Sequence, residues 1–499
     1  MTRDKYMPFV WFFIGFGLFI FTRTVTFISL AIVIAPIFIL RFLRTQKAVK
    51  GILLTLLGFT MSLTISLWGL FSFEDKVFSL FFNTIRSVLI AIVLALPYIA
   101  DRLMVKRING FLSTLVFPVA CTMFYFLDSS FGPLDGLGIF YAYNQYGNLP
   151  LMQLMSLLGI WGLVFLLSWF ASLTNWAWDR GFIWNRVKNG ATIFSCVVAV
   201  VLLYGGVRVS PFFYPGENTV RVAAITFLPD ARKGEMSIEK VLKEKVYSPY
   251  EETVSRIKRL TRQATLSGAQ IVVWQEFAIL IDEANEVRFL EATQRLAKEN
   301  NIYLTISYSV LPKEGKGENR CIFINKKGDV EVNYLKHNLA VGESLFMKKG
   351  PGEISVVETP YGRIGITICR DLEYPGYARQ AGKKKADIVL SPSFDFPKGI
   401  MPSNTYNQML RAVENGFSLV RSVNNGLSVA IDYHGRILSS MNYFTTSNEI
   451  MYGDVPTTGT RTLYTQIGDI FPWLCVAGFT VFLVLSIKGA AKTSRKSEE

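Results

Sequence analysis

The chain has 499 residues, 51% of them hydrophobic, with a mean hydropathy of +0.32, which exceeds both the length of one ordinary domain and the hydropathy of a wholly water-soluble protein. Five cysteines and two histidines without a C-x-x-C pair argue against a disulfide framework and against zinc or iron–sulfur ligand clusters, so neither metal nor cofactor is expected. The formal net charge of +14 is scattered over loops between apolar runs rather than gathered in a basic stripe interleaved with aromatics. That pattern reads as membrane topology and argues against a nucleic-acid partner.

In chain order, eight apolar runs approach the roughly 20 residues that cross a bilayer core as a helix. They lie near 7–22, 25–43, 51–72, 79–100, 110–127, 151–176, 190–209 and 468–487. Residues 1–210 are therefore expected to form a transmembrane helical domain of about seven spans, 468–487 a last transmembrane helix and 488–499 a basic tail. The first run lacks the cleavage-site residues of a signal peptide. Arg41, Arg44, Lys47 and Lys50 flank the second run; Arg102, Lys106 and Arg107 follow the fourth; Arg180, Arg186 and Lys188 follow the sixth; Lys488, Lys492, Arg495 and Lys496 follow the last. Cationic loops stay in the cytoplasm, whereas 128–149 contain no Lys or Arg. Both termini are thus expected inside, residues 217–467 outside, and the protein in the cell (inner or cytoplasmic) membrane. Arg86 interrupts the fourth run, where a charge is costly unless it snorkels to water or meets a polar group. Snorkelling and contact with a lipid phosphate are the two readings.

Residues 217–467 alternate short apolar runs with amphipathic stretches. Strands are expected at Val220–Thr226, Gln270–Trp274 and Ile302–Tyr308, with helices at 249–266 and 286–300. A hairpin follows, Cys321–Asn325 and Val330–Tyr334 around Lys326-Lys327-Gly328-Asp329. Strands Ile354–Glu358 and Arg363–Cys369, a helix near 374–383, strand Ile388–Ser391, helix 403–415, strand Ser418–Val423 and a hairpin across Tyr433-His434-Gly435 complete an α/β order mixed with antiparallel hairpins.

Three groups in this part suit acyl transfer. Glu276 closes Ile271-Val272-Val273-Trp274-Gln275-Glu276, Lys336 follows Tyr334-Leu335, and Cys369 closes Gly365-Ile366-Thr367-Ile368-Cys369. A thiol needs a base to take its proton and a cation to stabilise the tetrahedral oxyanion. A carboxylate, an ammonium and a thiol supply one role each, at strand ends where α/β sheets gather ligands. Singly, each has a plain structural reading: a small core residue, a solvated lysine, a helix-capping acid.

Together, Glu276, Lys336 and Cys369 in that order, with Val272-Val273-Trp274-Gln275-Glu276, Tyr334-Leu335-Lys336-His337-Asn338-Leu339, Gly362 through Cys369 and Arg411-Ala412-Val413-Glu414-Asn415-Gly416, resemble the nitrilase or carbon–nitrogen hydrolase superfamily. The resemblance implies an α-β-β-α sandwich bearing a Glu-Lys-Cys triad. A sandwich between transmembrane helices is similar to the apolipoprotein N-acyltransferase family, as are Leu149-Pro150-Leu151-Met152-Gln153, Leu158-Gly159-Ile160-Trp161-Gly162, and Phe417–Asp432 with Arg421, Asn424, Asn425 and Gly426. That family implies a phospholipid acyl donor, a thioester on Cys369, a lipidated lipoprotein amine as acceptor, and Glu343 as a further carboxylate supporting Lys336. A monomer is expected. Two departures bear on substrate. Arg370-Asp371 replaces an aromatic and a glutamate after the nucleophile, and Ser391-Pro392-Ser393-Phe394-Asp395-Phe396 replaces an Asn-Asp-x-Trp-Phe loop. Arg370 is expected to give its backbone N–H to the oxyanion. Phe346, Met347, Phe394 and Phe396 are read either as apolar lids touching lipid or as core packing. The alternative reaction is a membrane-anchored amidase that passes the acyl group to water.

Overall fold

The computed structural model describes residues 3–22, 28–68, 76–131, 141, 144–210, 218–227, 242–340, 342–395 and 403–498. They form two compact units, Met1–Val209 with Ile467–Glu499, and Ser210–Gln466.

The first unit is helical: α1 (Arg3–Ile20), α2 (Ala31–Thr45), α3 (Ala48–Ser66), α4 (Lys76–Met104), α5 (Val116–Phe131), short α6 (Leu149–Met152) and α7 (Met155–Leu158), α8 (Ile160–Trp178) and α9 (Trp184–Val209). Among the described residues six helices are long and apolar enough to cross a bilayer: Ala48–Ser66, Ser79–Arg107, Gly110–Phe131, Ile160–Trp178, Trp184–Val209 and Ile470–Gly489. Among the described residues, the helices differ from the eight expected runs in two places. The apolar part of α1, Tyr6–Ile20, and the 15 residues of α2 each span about 22 Å at 1.5 Å per residue, short of a bilayer core. The run at 151–176 is not one helix. Gly159 takes φ +65° and ψ −172°, a backbone turn that costs glycine little, and only Ile160–Trp178 continues as a full span.

Inside this unit the helices meet through small residues and a few satisfied polar groups. Arg44 makes a two-pronged bond to Asp101 at 2.8 and 2.7 Å, and Asn175 donates to the Ile37 carbonyl at 2.9 Å. At Gly205 of α9, a Cβ would stand 1.8 Å from the Pro150 carbonyl oxygen of α6. Only glycine permits this approach.

The second unit is the expected α-β-β-α sandwich. Its first sheet holds β1 (Thr219–Ile225), β2 (Ile271–Trp274), β3 (Leu280–Ile281), β4 (Tyr303–Val310), β5 (Glu318–Ile324), β6 (Val330–Leu335) and β13 (Ile450–Pro456), in the order β13-β1-β2-β4-β5-β6 with β3 beside β4. The second runs β12-β11-β10-β9-β8-β7, from β7 (Ser355–Thr359), β8 (Gly362–Ile366), β9 (Ile388–Phe394), β10 (Ser418–Asn424), β11 (Leu427–Ile431) and β12 (Ile437–Asn442). Period-two alternation divides β1 between two interiors. Val220, Val222 and Ala224 face the second sheet with Ile271, Val273, Ile366 and Leu390. Ala223 and Ile225 pack with Val254, Ile257 and Leu260 of α10 (Tyr250–Leu266) and Phe289 of α11 (Glu283–Asn300). Helices α12 (Pro375–Lys383) and α13 (Ser403–Asn415) follow β8 and β9, bury Tyr377, Ala378, Met409 and Leu410, and precede the short α14 (Leu463–Ile467) and the long α15 (Ile470–Glu498). The parallel triplet β1-β2-β4 and the parallel neighbours β8-β9-β10 aim their carboxyl ends at one region of the sandwich.

Two adjacent glycines test the membrane unit. Gly205→Ala is expected to cost about 1–3 kcal/mol through overpacking, read as a lower melting temperature of the detergent-solubilised protein. Gly206→Ala, where a Cβ meets nothing within 4 Å, should be neutral or slightly stabilising because alanine favours helix. Equal melting of the two variants would refute the close contact.

Candidate active site

Glu276 stands two residues past β2 and Lys336 one past β6. The ladder continues beyond β6: the Lys336 N–H donates to the Asn319 carbonyl at 3.0 Å, so those residues are cross-strand neighbours. Strand β8 stops at Ile366 rather than reaching Cys369. Cys369 instead opens a 3-10 turn, Cys369–Glu373, at φ +46°. That value is uncommon for any residue with a Cβ, and such backbone persists only where its surroundings over-determine it.

Those surroundings are polar. Gln408 of α13, fully buried, donates to the Cys369 carbonyl at 2.9 Å and accepts from Ser391 at 3.2 Å. The Cys369 thiol donates to the Phe394 carbonyl at 3.5 Å. Asp371 accepts from the Tyr334 hydroxyl at 2.5 Å, the Asn338 N–H at 2.7 Å and the Ile368 N–H at 3.3 Å. Since Tyr334 and Asn338 bracket Lys336, Asp371 ties the thiol turn to the lysine segment. Arg370 adds a second tie, donating to the Leu339 carbonyl at 3.2 Å. The two residues that depart from the resembled pattern therefore fix nucleophile against cation.

Lys336 Nζ donates to Glu276 Oε1 and to Glu343 Oε2, both at 2.8 Å, with all three side chains nearly shut from water. Asn319 Nδ2 bridges the same two carboxylates, at 2.8 Å to Glu276 and 3.1 Å to Glu343. Burial opposes the ammonium, but Glu276, Glu343 and Cys369 more than offset it, holding Lys336 well above its usual range. Burial likewise opposes both carboxylates. At Glu343 it is outweighed by Lys336, the Ala340 N–H and Asn319, and the group is held low. At Glu276 burial wins, helped by the charge of Glu343, and the group is held above the usual carboxylate range. Two carboxylates pushed apart in this way divide the work of permanent counter-ion and proton acceptor. Burial and the neighbouring Glu276 push the Cys369 thiol well up, against Lys336 and Arg421. The resting nucleophile is a thiol that needs a base at the moment of attack.

The remaining expected residues divide. Phe346 packs half-buried with Phe277, Leu280 and Leu339 against Leu242, Leu311 and Met347. Phe277 follows Glu276 at φ +56° and meets Phe394 edge-on at 6.1 Å between centroids, so Phe346, Phe277 and Phe394 form one apolar group beside the carboxylate. Of the two readings offered for Met347, its burial fits core packing: it is 1% exposed, because the turn after Glu343 points it inward. Phe396 lies outside the described residues. Arg86 lies on α4 of the other unit.

Sequence reasoning missed Asn319, Gln408 and Glu373. Asn319 alternates with Cys321 and Phe323 on the inward face of β5, and an amide at an inward strand position was the available signal. Glu373 sits 3.7 Å from Arg370, and burial pushes its carboxyl up to about 7.

Residues 241–464 match the family "Carbon-nitrogen hydrolase". With the sandwich, this makes residues 241–464 a carbon–nitrogen hydrolase domain of the nitrilase type, in a chain that also bears long apolar helices. Within that class its likeness is to apolipoprotein N-acyltransferases. The protein of that name from Geobacter metallireducens is 28% identical over 377 residues, 70% of this chain and 69% of that one. Its counterpart from Rickettsia typhi is 24% identical, over 68% of each. Among solved structures, an amidase from Nesterenkonia sp. is 17% identical, covering 50% of this chain and 94% of that one at a TM-score of 0.39.

Acylation of Cys369 by an activated ester should fall as pH drops through the Glu276 pKa, since a protonated carboxyl takes no proton, and the limb should lie above the ordinary carboxylate value of 4.5. Asn319→Ala removes a bond favouring the ionised form and should move the limb to higher pH. Glu343→Gln removes a repelling charge and should move it to lower pH. Glu373→Gln should leave it in place. A limb that follows Glu373 alone would assign the base elsewhere.

Proposed function

We propose that the protein transfers a fatty acyl chain from a membrane phospholipid, through a thioester on Cys369, to the α-amino group of a lipidated N-terminal cysteine on an exported lipoprotein. The observation that carries this reading is the buried Glu276–Lys336–Glu343 cluster beside the Cys369 turn, in a chain that also bears membrane helices and resembles apolipoprotein N-acyltransferases over most of its length.

Glu276 accepts the thiol proton while Sγ attacks the ester carbonyl, and Lys336, with the Arg370 backbone N–H, stabilises the oxyanion. Collapse expels the lysophospholipid alkoxide, which takes the proton back from Glu276, and leaves a thioester. The acceptor amine then attacks that thioester, giving its proton to Glu276. The thiolate departs and is reprotonated, and an amide bond has replaced the thioester. Glu343 keeps Lys336 charged throughout. The apolar group of Phe277, Phe346 and Phe394 would exclude water between the two half-reactions. An amidase would pass the acyl group to water with the same cluster. Arg370-Asp371, the departure from the resembled pattern that gives this alternative weight, ties the thiol turn to β6 and the segment after it, a positioning role that serves either acceptor.

With phospholipid alone, the wild type should release about one lysophospholipid per enzyme and stall with an acyl adduct on Cys369, seen by mass spectrometry. A diacylated lipopeptide with a free α-amine should restart turnover, and its N-acetylated form should not. Cys369→Ala should abolish adduct and burst, Cys321→Ala neither, and Glu276→Gln or Lys336→Ala should each slow the burst by about 10²–10⁴-fold. Steady release of free fatty acid without acceptor would support the amidase instead.

The proposed reaction requires the sandwich to face away from the cytoplasm, as the cationic loops suggest. A cysteine at exposed Ser267 should label with an impermeant thiol reagent in intact protoplasts, and one at exposed Lys188 should label only after lysis. The reverse pattern would exclude exported acceptors.

A further inference from the structure

The membrane unit holds a cavity of ≈ 380 Å³, lined by the end of α2, residues 105–114 and the end of α8. At about 30 Å³ per water, that is room for roughly a dozen water molecules or one polar head group. Four cations line it: Arg41, Arg44, Lys106 and Arg180. Arg44 is largely spent on Asp101, with its other amino group 3.8 Å from Asp179. Arg41 pairs with the same Asp179. Arg180 finds no carboxylate among the described residues and lies over the Trp176 ring at 4.0 Å, donating to that residue's carbonyl at 3.1 Å. Lys106 has no acidic partner among the described residues. Two positive charges are left over at the cavity, Arg180 half-buried and Lys106 exposed.

A separate observation points to a ligand. The Ser172 hydroxyl lines the cavity, is completely buried, and has no hydrogen-bond partner among the described residues. A buried hydroxyl without a partner costs about 1–3 kcal/mol, and an anionic oxygen in the cavity would accept from it. Depth is indicated by tryptophan: Arg41 lies over Trp178 at 4.8 Å and over Trp11 at 5.5 Å, and Arg180 over Trp176. Tryptophans of this kind gather at head-group level, where basic pockets between membrane helices hold lipid head groups.

We propose that this cavity binds the phosphate of an anionic membrane lipid, which neutralises the Lys106 and Arg180 charges that Asp101 and Asp179 leave uncompensated and accepts from the Ser172 hydroxyl. The leaflet follows from the orientation proposed above and is cytoplasmic; the binding itself does not depend on the acyl-transfer reading. It is a site for a retained lipid on the membrane unit, separate in chemistry from the thiol site of the sandwich.

The test uses the full-length protein in detergent, with native mass spectrometry and thermal unfolding in the presence of phosphatidylglycerol, phosphatidylcholine or inorganic phosphate. The wild type should retain one anionic phospholipid after delipidating washes and melt higher with phosphatidylglycerol, while phosphatidylcholine and inorganic phosphate at equal phosphate concentration give no shift. Lys106→Ala/Arg180→Gln should bind phosphatidylglycerol about 30-fold more weakly, at roughly fivefold per basic residue beside an anionic head group. Arg186→Gln/Lys188→Ala, which removes the same charge from the exposed start of α9, should bind as the wild type does. Equal loss in both double variants, unchanged retention in the first, or an equal shift with inorganic phosphate or phosphatidylcholine would each overturn the proposal.

Discussion

The ammonium of Lys336, held between Glu276 and Glu343 and away from water, is the interaction on which the site depends. Each buried ion forfeits several kcal/mol of hydration, and mutual attraction repays this only when geometry is good and the leftover lone pairs are satisfied. Here one cation faces two carboxylates, so the cluster is short of donors. Asn319 supplies both acids from β5, and the Ala340 N–H supplies Glu343. The asymmetry of that supply separates the two acids. Glu343 receives a backbone donor as well as the shared ones and is held low, while Glu276 is left on the raised side. A base and a counter-ion thus arise from identical side chains through unequal donors.

The same economy explains the residues around the thiol. A buried Cys369 next to Glu276 resists ionisation, so its approach to base and cation must be set by backbone rather than by charge attraction. Asp371 does this by accepting from both sides of Lys336's segment and from the Ile368 N–H. Gln408 holds the Cys369 carbonyl from α13. Close backbone approach is part of the arrangement: a Cβ at Gly350 would stand 2.0 Å from the Leu335 carbonyl oxygen, which lets the Gly350 N–H reach the Lys336 carbonyl at 2.8 Å. Tyr334 joins Asp371 to Tyr377 of α12 at 2.6 Å, so helix and sheet share one buried network.

What was legible in the sequence had a period or a local mechanism. Helix 403–415 and strands such as Val220–Thr226 carried clear apolar spacing, and helix 403–415 and strand 219–225 match within a residue or so. Strand β13 was not legible. Gly453, Asp454 and Pro456 are poor strand formers, and the strand exists because β1 offers an unpaired edge, with Ile225 opposite Ile450 and Thr219 opposite Pro456. Tertiary pairing overrode propensity there. The early end of β8 was hidden for the opposite reason: Gly365-Ile366-Thr367-Ile368 is a good strand sequence, and only the turn imposed at Cys369 ends it. In the membrane part, hydropathy found the apolar runs but not the break at Gly159, since a turn between packed helices leaves the mean hydropathy unchanged. Asn319 and Gln408 escaped because a buried amide has no signature of its own until its partners are known.

Positioning of the base and exclusion of water are not independent in this fold. Phe277 adopts a left-handed backbone immediately after Glu276, and that turn sends the carboxylate toward Lys336 while its own ring enters the group with Phe346, Leu339 and Leu280 and meets Phe394. Phe394 in turn supplies the carbonyl on which the resting thiol proton lies. A substitution that relaxed the Phe277 backbone would therefore shift the base and open the apolar group at once. In an acyl transfer through a thioester, those two faults act together. The first slows loading of Cys369, and the second admits water to whatever is loaded. Selection for a transferase over a hydrolase would act on this turn as strongly as on the three reacting side chains.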